Sequence, residues 1–218
     1  MESRENGSVR IGVLALQGDF TAHASALARA GAEACEVRRA RELAPLDGLV
    51  IPGGESTTLL KLMREFGLWE PIREFAASGR PVLGTCAGLI LLAEEVTHPV
   101  QDSFGLLPLR LARNAYGRQV DSFVARGRVQ APVDLGGEFE TDLVFIRAPR
   151  ITEMRDGVEV WARHDGAPVL VRRGSILGAS FHPELATDNR VVRLFVTMVR
   201  RARAAGLPRG GTATAARE

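Results

Sequence analysis

Cysteine is nearly absent: Cys35 and Cys86 are the only two in 218 residues, and neither belongs to a C-x-x-C pair. That scarcity argues against a disulfide framework and against a thiolate metal site of ordinary spacing. Long apolar runs are missing too. None approaches the roughly 20 residues a membrane helix requires, and the opening MESRENGSVR has no apolar segment of a secretory signal. A cytoplasmic protein with no membrane partner is expected. Positive charge is also lacking over most of the chain. The formal charge is +2, but the last nineteen residues hold Arg200, Arg201, Arg203, Arg209 and Arg217 against Glu218 alone, a local +4 that leaves −2 for the rest. A nucleic-acid binder carries its cations as a patch on a folded face, so no nucleic-acid partner is expected.

What the chain does have is apolar material, 45% of residues, enough for one well-filled core. One domain is expected over residues 9–204, with a flexible N-terminus over 1–8 and a disordered tail over 205–218, where GLPRGGTATAARE is small, polar and Gly-rich. Val9 to Leu16 is an almost continuous apolar run, as in a strand buried on both faces, and residues 20–30 carry a helical pattern ended by Gly31. The same succession recurs at Gly48 to Ile51 with a helix from Ser56, and at Pro81 to Gly84 with a helix over Leu89 to Ala93. Repeated strand–helix alternation predicts an α/β protein: a three-layer, open, mostly parallel sheet with helices on both faces. The second half is different. Gln119–Ala125, Leu143–Ile146, Val158–Arg163, Val169–Arg172 and Ile176–Phe181 are short and β-like, predicting antiparallel or mixed strands. A closing helix is expected after Asp188 as N-cap, with Val191, Leu194, Phe195 and Met198 on one face.

Gly84-Thr85-Cys86-Ala87-Gly88 has the G-x-nucleophile-x-G form, whose glycines permit a sharp strand-to-helix turn that lifts a side chain above the sheet edge. Cys86 at a helix N-terminus is placed where partial positive charge stabilises negative charge on sulfur, and the N–H of Ala87 becomes an oxyanion donor. The competing reading is a small buried cysteine between strand and helix. His182-Pro183-Glu184 places base and carboxylate two residues apart, on one side of an extended segment. Taken alone, His182 is more often a packing or surface histidine. With Cys86 it completes the nucleophile–base–carboxylate logic of covalent acyl transfer. The H-x-E spelling of zinc deaminases needs a following P-C-x-x-C, and no cysteine follows Cys86, so no metal is expected. Pro52-Gly53-Gly54-Glu55-Ser56 ends a strand at its carboxyl edge, where open α/β sheets place ligands. It matches neither a Walker phosphate loop nor a dinucleotide fingerprint, and a bland Gly-Gly turn is its alternative. Cys35 reads as structural. His23, His98 and His164 read as surface or local structure.

GTCAG with FHPE resembles the class I glutamine amidotransferases, and IGVLALQGDFTAH, DGLVIPGGESTT, RNAYGRQVDSF and FIRAPRI narrow the likeness to the family of glutaminase subunits of pyridoxal 5′-phosphate synthase. It covers about residues 10 to 200. The resemblance implies a flavodoxin-like amidotransferase fold that hydrolyses glutamine and passes ammonia to a synthase subunit, in a large hetero-oligomer, which builds pyridoxal 5′-phosphate from ribose 5-phosphate and glyceraldehyde 3-phosphate. It implies Cys86 as nucleophile, His182 as general base and acid, and Glu184 as the residue that orients His182. Gly54, Glu55, Ser56, Arg113, Ile146 and Arg147 would bind glutamine, and Gly54 with Ala87 would form the oxyanion hole. It also implies a glutaminase that is weak until the synthase docks, in keeping with a Gly53-Gly54 element that must reorient. No cofactor is implied. An amidotransferase subunit serving another acceptor, a non-catalytic regulatory subunit of the same fold and a thiol peptidase stay open as alternatives.

Overall fold

The computed structural model describes residues 8–113 and 122–207. The succession seen in the sequence folds as β1 (Arg10–Leu14), α1 (Phe20–Arg29), β2 (Glu33–Val37), β3 (Gly48–Ile51), α2 (Ser56–Glu65), α3 (Trp69–Ala77), β4 (Val82–Thr85) and α4 (Ala87–Leu92). The second half is mainly β: β5 (Ala93–Thr97), β6 (Leu107–Ala112), β7 (Phe123–Gln130), β8 (Glu138–Phe145), β9 (Arg150–Met154), β10 (Glu159–His164), β11 (Ala167–Arg173) and β12 (Ile176–Ala179). The chain closes with α5 (Arg190–Ala204).

Among the described residues, nine strands form one sheet in the order β2-β1-β3-β4-β12-β11-β10-β7-β8. The half from β2 to β12 is parallel, and from β12 onward each neighbour is antiparallel. Alternate residues of the parallel strands feed two separate cores, which explains their unbroken apolar spelling. Leu49, Ile51 and Val82 face α2, α3 and α4. Ile11, Val13, Val50, Leu83 and Leu177 face α1 and α5. A second sheet, β5-β6-β9, extends the first of these cores and was not anticipated in the sequence.

Two expectations need correction. The strand expected over Gln119–Ala125 is described only as β7, which starts at Phe123 and runs to Gln130; residues 119–121 lie outside the described residues. The N-cap of α5 is Asn189 in left-handed backbone, φ 55°. Asp188 instead accepts the Arg190 N–H at 3.1 Å from one position earlier. The tail expected from residue 205 is described only as far as Leu207. No helix among the described residues is long and apolar enough to cross a membrane.

Candidate active site

The parallel strands β1, β3, β4 and β12 end at the same edge of the sheet, and each delivers one piece of the site. After β1 comes Gln17, after β3 the Gly53-Gly54 pair, after β4 Cys86, and after β12 His182. Carboxyl edges of this kind are where open α/β sheets hold ligands. Together with Glu55, Ser56, Arg113, Ile146 and Arg147, these residues line a cavity of about 310 Å³, at the small end of ligand pockets of roughly 300–1,000 Å³.

Cys86 has φ 48° and ψ −104°, a region rarely occupied by side chains with a Cβ and typical of strain at functional positions. Its neighbours explain how the turn is possible. A Cβ on Gly88 would stand 2.0 Å from the Ile51 carbonyl oxygen, and one on Gly84 would stand 2.7 Å from Gly88 backbone, so α4 can start this close to β3 and β4 only with glycine at both places. The Cys86 N–H donates to Ala179 O at 2.8 Å, which ties the elbow to β12. Ala87 opens α4, and its N–H has no acceptor within the helix. The sulfur makes one long contact, 3.8 Å, to Ile146 O, just before Arg147, itself at φ 43°.

His182 and Glu184 do meet, though not by the strand alternation expected. Pro183–Leu185 forms a 3-10 turn with proline at its start, and the turn brings Glu184 Oε1 to 2.7 Å from His182 Nδ1. Both residues are buried. Burial opposes charge on His182, but the Cys86 thiol and the Glu184 carboxylate outweigh it and push the imidazole up to about 10. The sulfur acts from close by through its negative charge, and among the described residues Nε2 has no hydrogen-bond partner of ordinary geometry. Glu184 is likewise desolvated, yet His23 and His182 hold its carboxyl down at about 2.

Glu55 caps α2, accepting from Thr57 N at 3.1 Å and Thr58 N at 2.7 Å, and pairs with Arg113 at 3.0 Å. Burial acts against its charge, and the hydrogen bonds from Thr58 and Thr57 prevail, bringing it to about 2. The Glu55 N–H donates to Gln17 Oε1 at 2.8 Å. Every residue expected to bind glutamine therefore lines one cavity with Cys86 and His182, while Ala87 adjoins it and Glu184 stands behind His182. Beyond Arg113, residues 114–121 of the RNAYGRQVDSF stretch lie outside the described residues.

The sequence reading missed three polar contributors. Gln17 and Asp19 line the cavity, although both lie in the quoted IGVLALQGDFTAH stretch. His23, read as surface or local structure, is buried, with Nε2 3.3 Å from Glu184 Oε1 and 3.0 Å from Thr85 Oγ1. Among the described residues, no group of three or more His, Cys, Asp or Glu side chains could hold a metal ion.

A parallel sheet with an elbow cysteine and a His–Glu pair at its carboxyl edge is the arrangement of a class I glutamine amidotransferase. A solved structure described as a glutamine amidotransferase superposes with a TM-score of 0.78 at 48% identity, covering 87% of this chain and 98% of that one. The model of the SNO glutamine amidotransferase family matches residues 13–201, and the chain belongs to that family. It is similar to proteins named pyridoxal 5′-phosphate synthase subunit PdxT. That of Koribacter versatilis (strain Ellin345) is 52% identical, over 88% of this chain and 96% of the relative. That of Parafrankia sp. (strain EAN1pec) is 55% identical, over 88% and 93%.

Proposed function

We propose that the chain hydrolyses L-glutamine to L-glutamate and ammonia and delivers the ammonia to a synthase subunit that makes pyridoxal 5′-phosphate from ribose 5-phosphate and glyceraldehyde 3-phosphate. The observation that carries this reading is the buried His182–Glu184 pair beside the elbow cysteine in a cavity lined by Glu55 and Arg113. The likeness to proteins named as subunits of that synthase supports the acceptor and the partner.

Cys86 sulfur, its proton taken by His182, attacks the side-chain carboxamide carbon of glutamine. The N–H groups of Gly54 and Ala87 hold the oxyanion of the tetrahedral intermediate. His182 returns the proton to the departing nitrogen, ammonia leaves, and a thioester to Cys86 remains. Water, deprotonated by His182, attacks the thioester and frees glutamate and the cysteine. Glu184 accepts the Nδ1–H of His182 throughout, fixing the tautomer and stabilising the imidazolium. Arg113 and Glu55 bear charges suited to the carboxylate and ammonium of the free amino acid, with Ser56, Ile146 and Arg147 completing the wall.

The test is glutamate release by the wild-type chain and by Cys86→Ala, each with and without the synthase subunit. Release that depends on Cys86 and rises with the synthase is expected. Equal release from both chains would overturn the chemistry, and indifference to the synthase would overturn the partnership.

A further inference from the structure

The glutaminase mechanism above uses three side chains, but the buried polar network contains five. α1 is set by Asp19, which accepts the Ala22 N–H at 3.1 Å, and it packs against the 3-10 turn that carries Glu184. A second tie fixes the same approach, because Asn189 Nδ2 donates to Ala26 O at 3.0 Å. Between these anchors the helix directs His23 inward. Its Nε2 lies 3.3 Å from Glu184 Oε1 and 3.0 Å from Thr85 Oγ1, on the residue before the nucleophile. His23 and Glu184 are both almost completely buried.

The partners dictate the tautomer. Glu184 Oε1 already accepts from His182 Nδ1 at 2.7 Å, and its other oxygen, Oε2, has no hydrogen-bond partner among the described residues. A bare Nε2 on His23 would point a lone pair at an ionised carboxylate out of reach of bulk water, which is strongly unfavourable. Nε2 therefore carries the proton, hydrogen-bonded to Thr85 Oγ1 at 3.0 Å and in close electrostatic contact with Glu184 Oε1 at 3.3 Å. One carboxylate oxygen is thus gripped from two sides, by the imidazole that works on substrate and by one that never reaches it.

Resting on the glutaminase reading above, we propose that His23 is a positioning residue of the site: its Nε2–H, hydrogen-bonded to Thr85 Oγ1 and 3.3 Å from Glu184 Oε1, holds the Glu184 carboxylate electrostatically where it accepts the Nδ1–H of His182. Without that second donor the carboxylate can rotate, and His182 loses the fixed tautomer that its proton transfers require. Substrate contacts are untouched, since His23 is not part of the cavity wall.

The experiment compares wild type, His23→Phe and His23→Gln in glutamate release with the synthase subunit present. Phenylalanine keeps a ring of similar size without a donor, and glutamine places an amide N–H near the position of Nε2. For His23→Phe, kcat is expected to fall about ten- to a hundredfold, the range of a lost charge-assisted hydrogen bond, with KM changed less than about twofold. His23→Gln is expected to recover most of the loss. Equal kcat for His23→Phe and wild type, or equal loss in both variants, overturns the proposal. Long-range proton–nitrogen NMR on the wild-type chain decides independently of whether a variant folds: a protonated Nε2 on His23 supports the proposal, and a bare Nε2 overturns it. Failure of wild type itself to release glutamate with the synthase would instead remove the glutaminase reading, and this inference with it.

Discussion

Gly53 lies directly against the imidazole of His182: a Cβ there would stand 2.5 Å from Cε1 and 3.2 Å from Nδ1. That ring cannot simply swing aside, because Nδ1 is bonded to Glu184 and the residue is buried. Gly53→Ala must therefore displace the base or the loop. Glutamate release is expected to fall at least about tenfold, and stability by roughly 1–3 kcal/mol for overpacking. Wild-type turnover in this variant, read alongside urea unfolding, would show that the contact does not matter.

Glu184→Gln removes the charge while keeping the shape. The amide can present its NH2 to Nδ1 and so favour the wrong tautomer of His182. Loss in kcat is expected on the order of 10²- to 10⁴-fold, as for the equivalent change in other triads, with glutamine binding little altered. Steady-state kinetics with the synthase present would expose an unchanged rate, and that result would leave Glu184 without its role.

The same carboxylate makes stability depend on acid. Its value in the folded chain, about 2, lies below the ordinary 4.5, so its contribution is complete above about pH 4.5 and is lost as pH falls toward 2. Glu184→Gln has no such loss from this position. Urea unfolding across that window should show wild type losing about 3 kcal/mol more than the variant, by the 1.36 kcal/mol per unit of linkage. Parallel curves would contradict the buried ion pair. His182 has the opposite sign: raised from 6.5 to about 10, it contributes fully below pH 6.5 and loses that contribution as pH climbs to 10. The two shifts share the His182–Glu184 contact, while Cys86 and His23 act on one each, so they do not simply add.

Arg113 is mostly buried and pairs with Glu55 at the cavity wall. Arg113→Ala should raise KM for glutamine about tenfold or more while kcat changes far less, since the lost contact binds substrate and transition state alike. A fall confined to kcat would move Arg113 from binding to chemistry.

Much of this was legible in the sequence where local pattern and chemistry coincide. β3 occupies the expected Gly48–Ile51, α2 starts at the expected Ser56, and the elbow and the His–Glu segment lie at one sheet edge. α3 escaped notice because Pro71 interrupts its pattern, although proline is tolerated in a first turn. β5 escaped because it begins at Ala93, the residue after α4 ends, so the apolar run reads as one continuing helix. Its one neighbour in the sheet, β6, runs parallel to it after the connection over residues 98–106, a pairing no local periodicity reveals. His23 was misread because nothing near it in sequence is an acid partner, and only the docking of α1 on residues 183–185 brings it to Glu184. The IGVLALQGDFTAH stretch, which ends on this histidine, was the one available signal.

The central claim is that Cys86 is the sulfur that attacks glutamine, and it is tested most directly by trapping. The chain, with its synthase subunit, would be treated with a glutamine-like electrophile and the adduct located by mass spectrometry. One adduct on Cys86 is expected, suppressed by excess glutamine, with Cys35 unmodified. Labelling of Cys35 instead, or labelling of Cys86 that glutamine does not slow, would contradict the account.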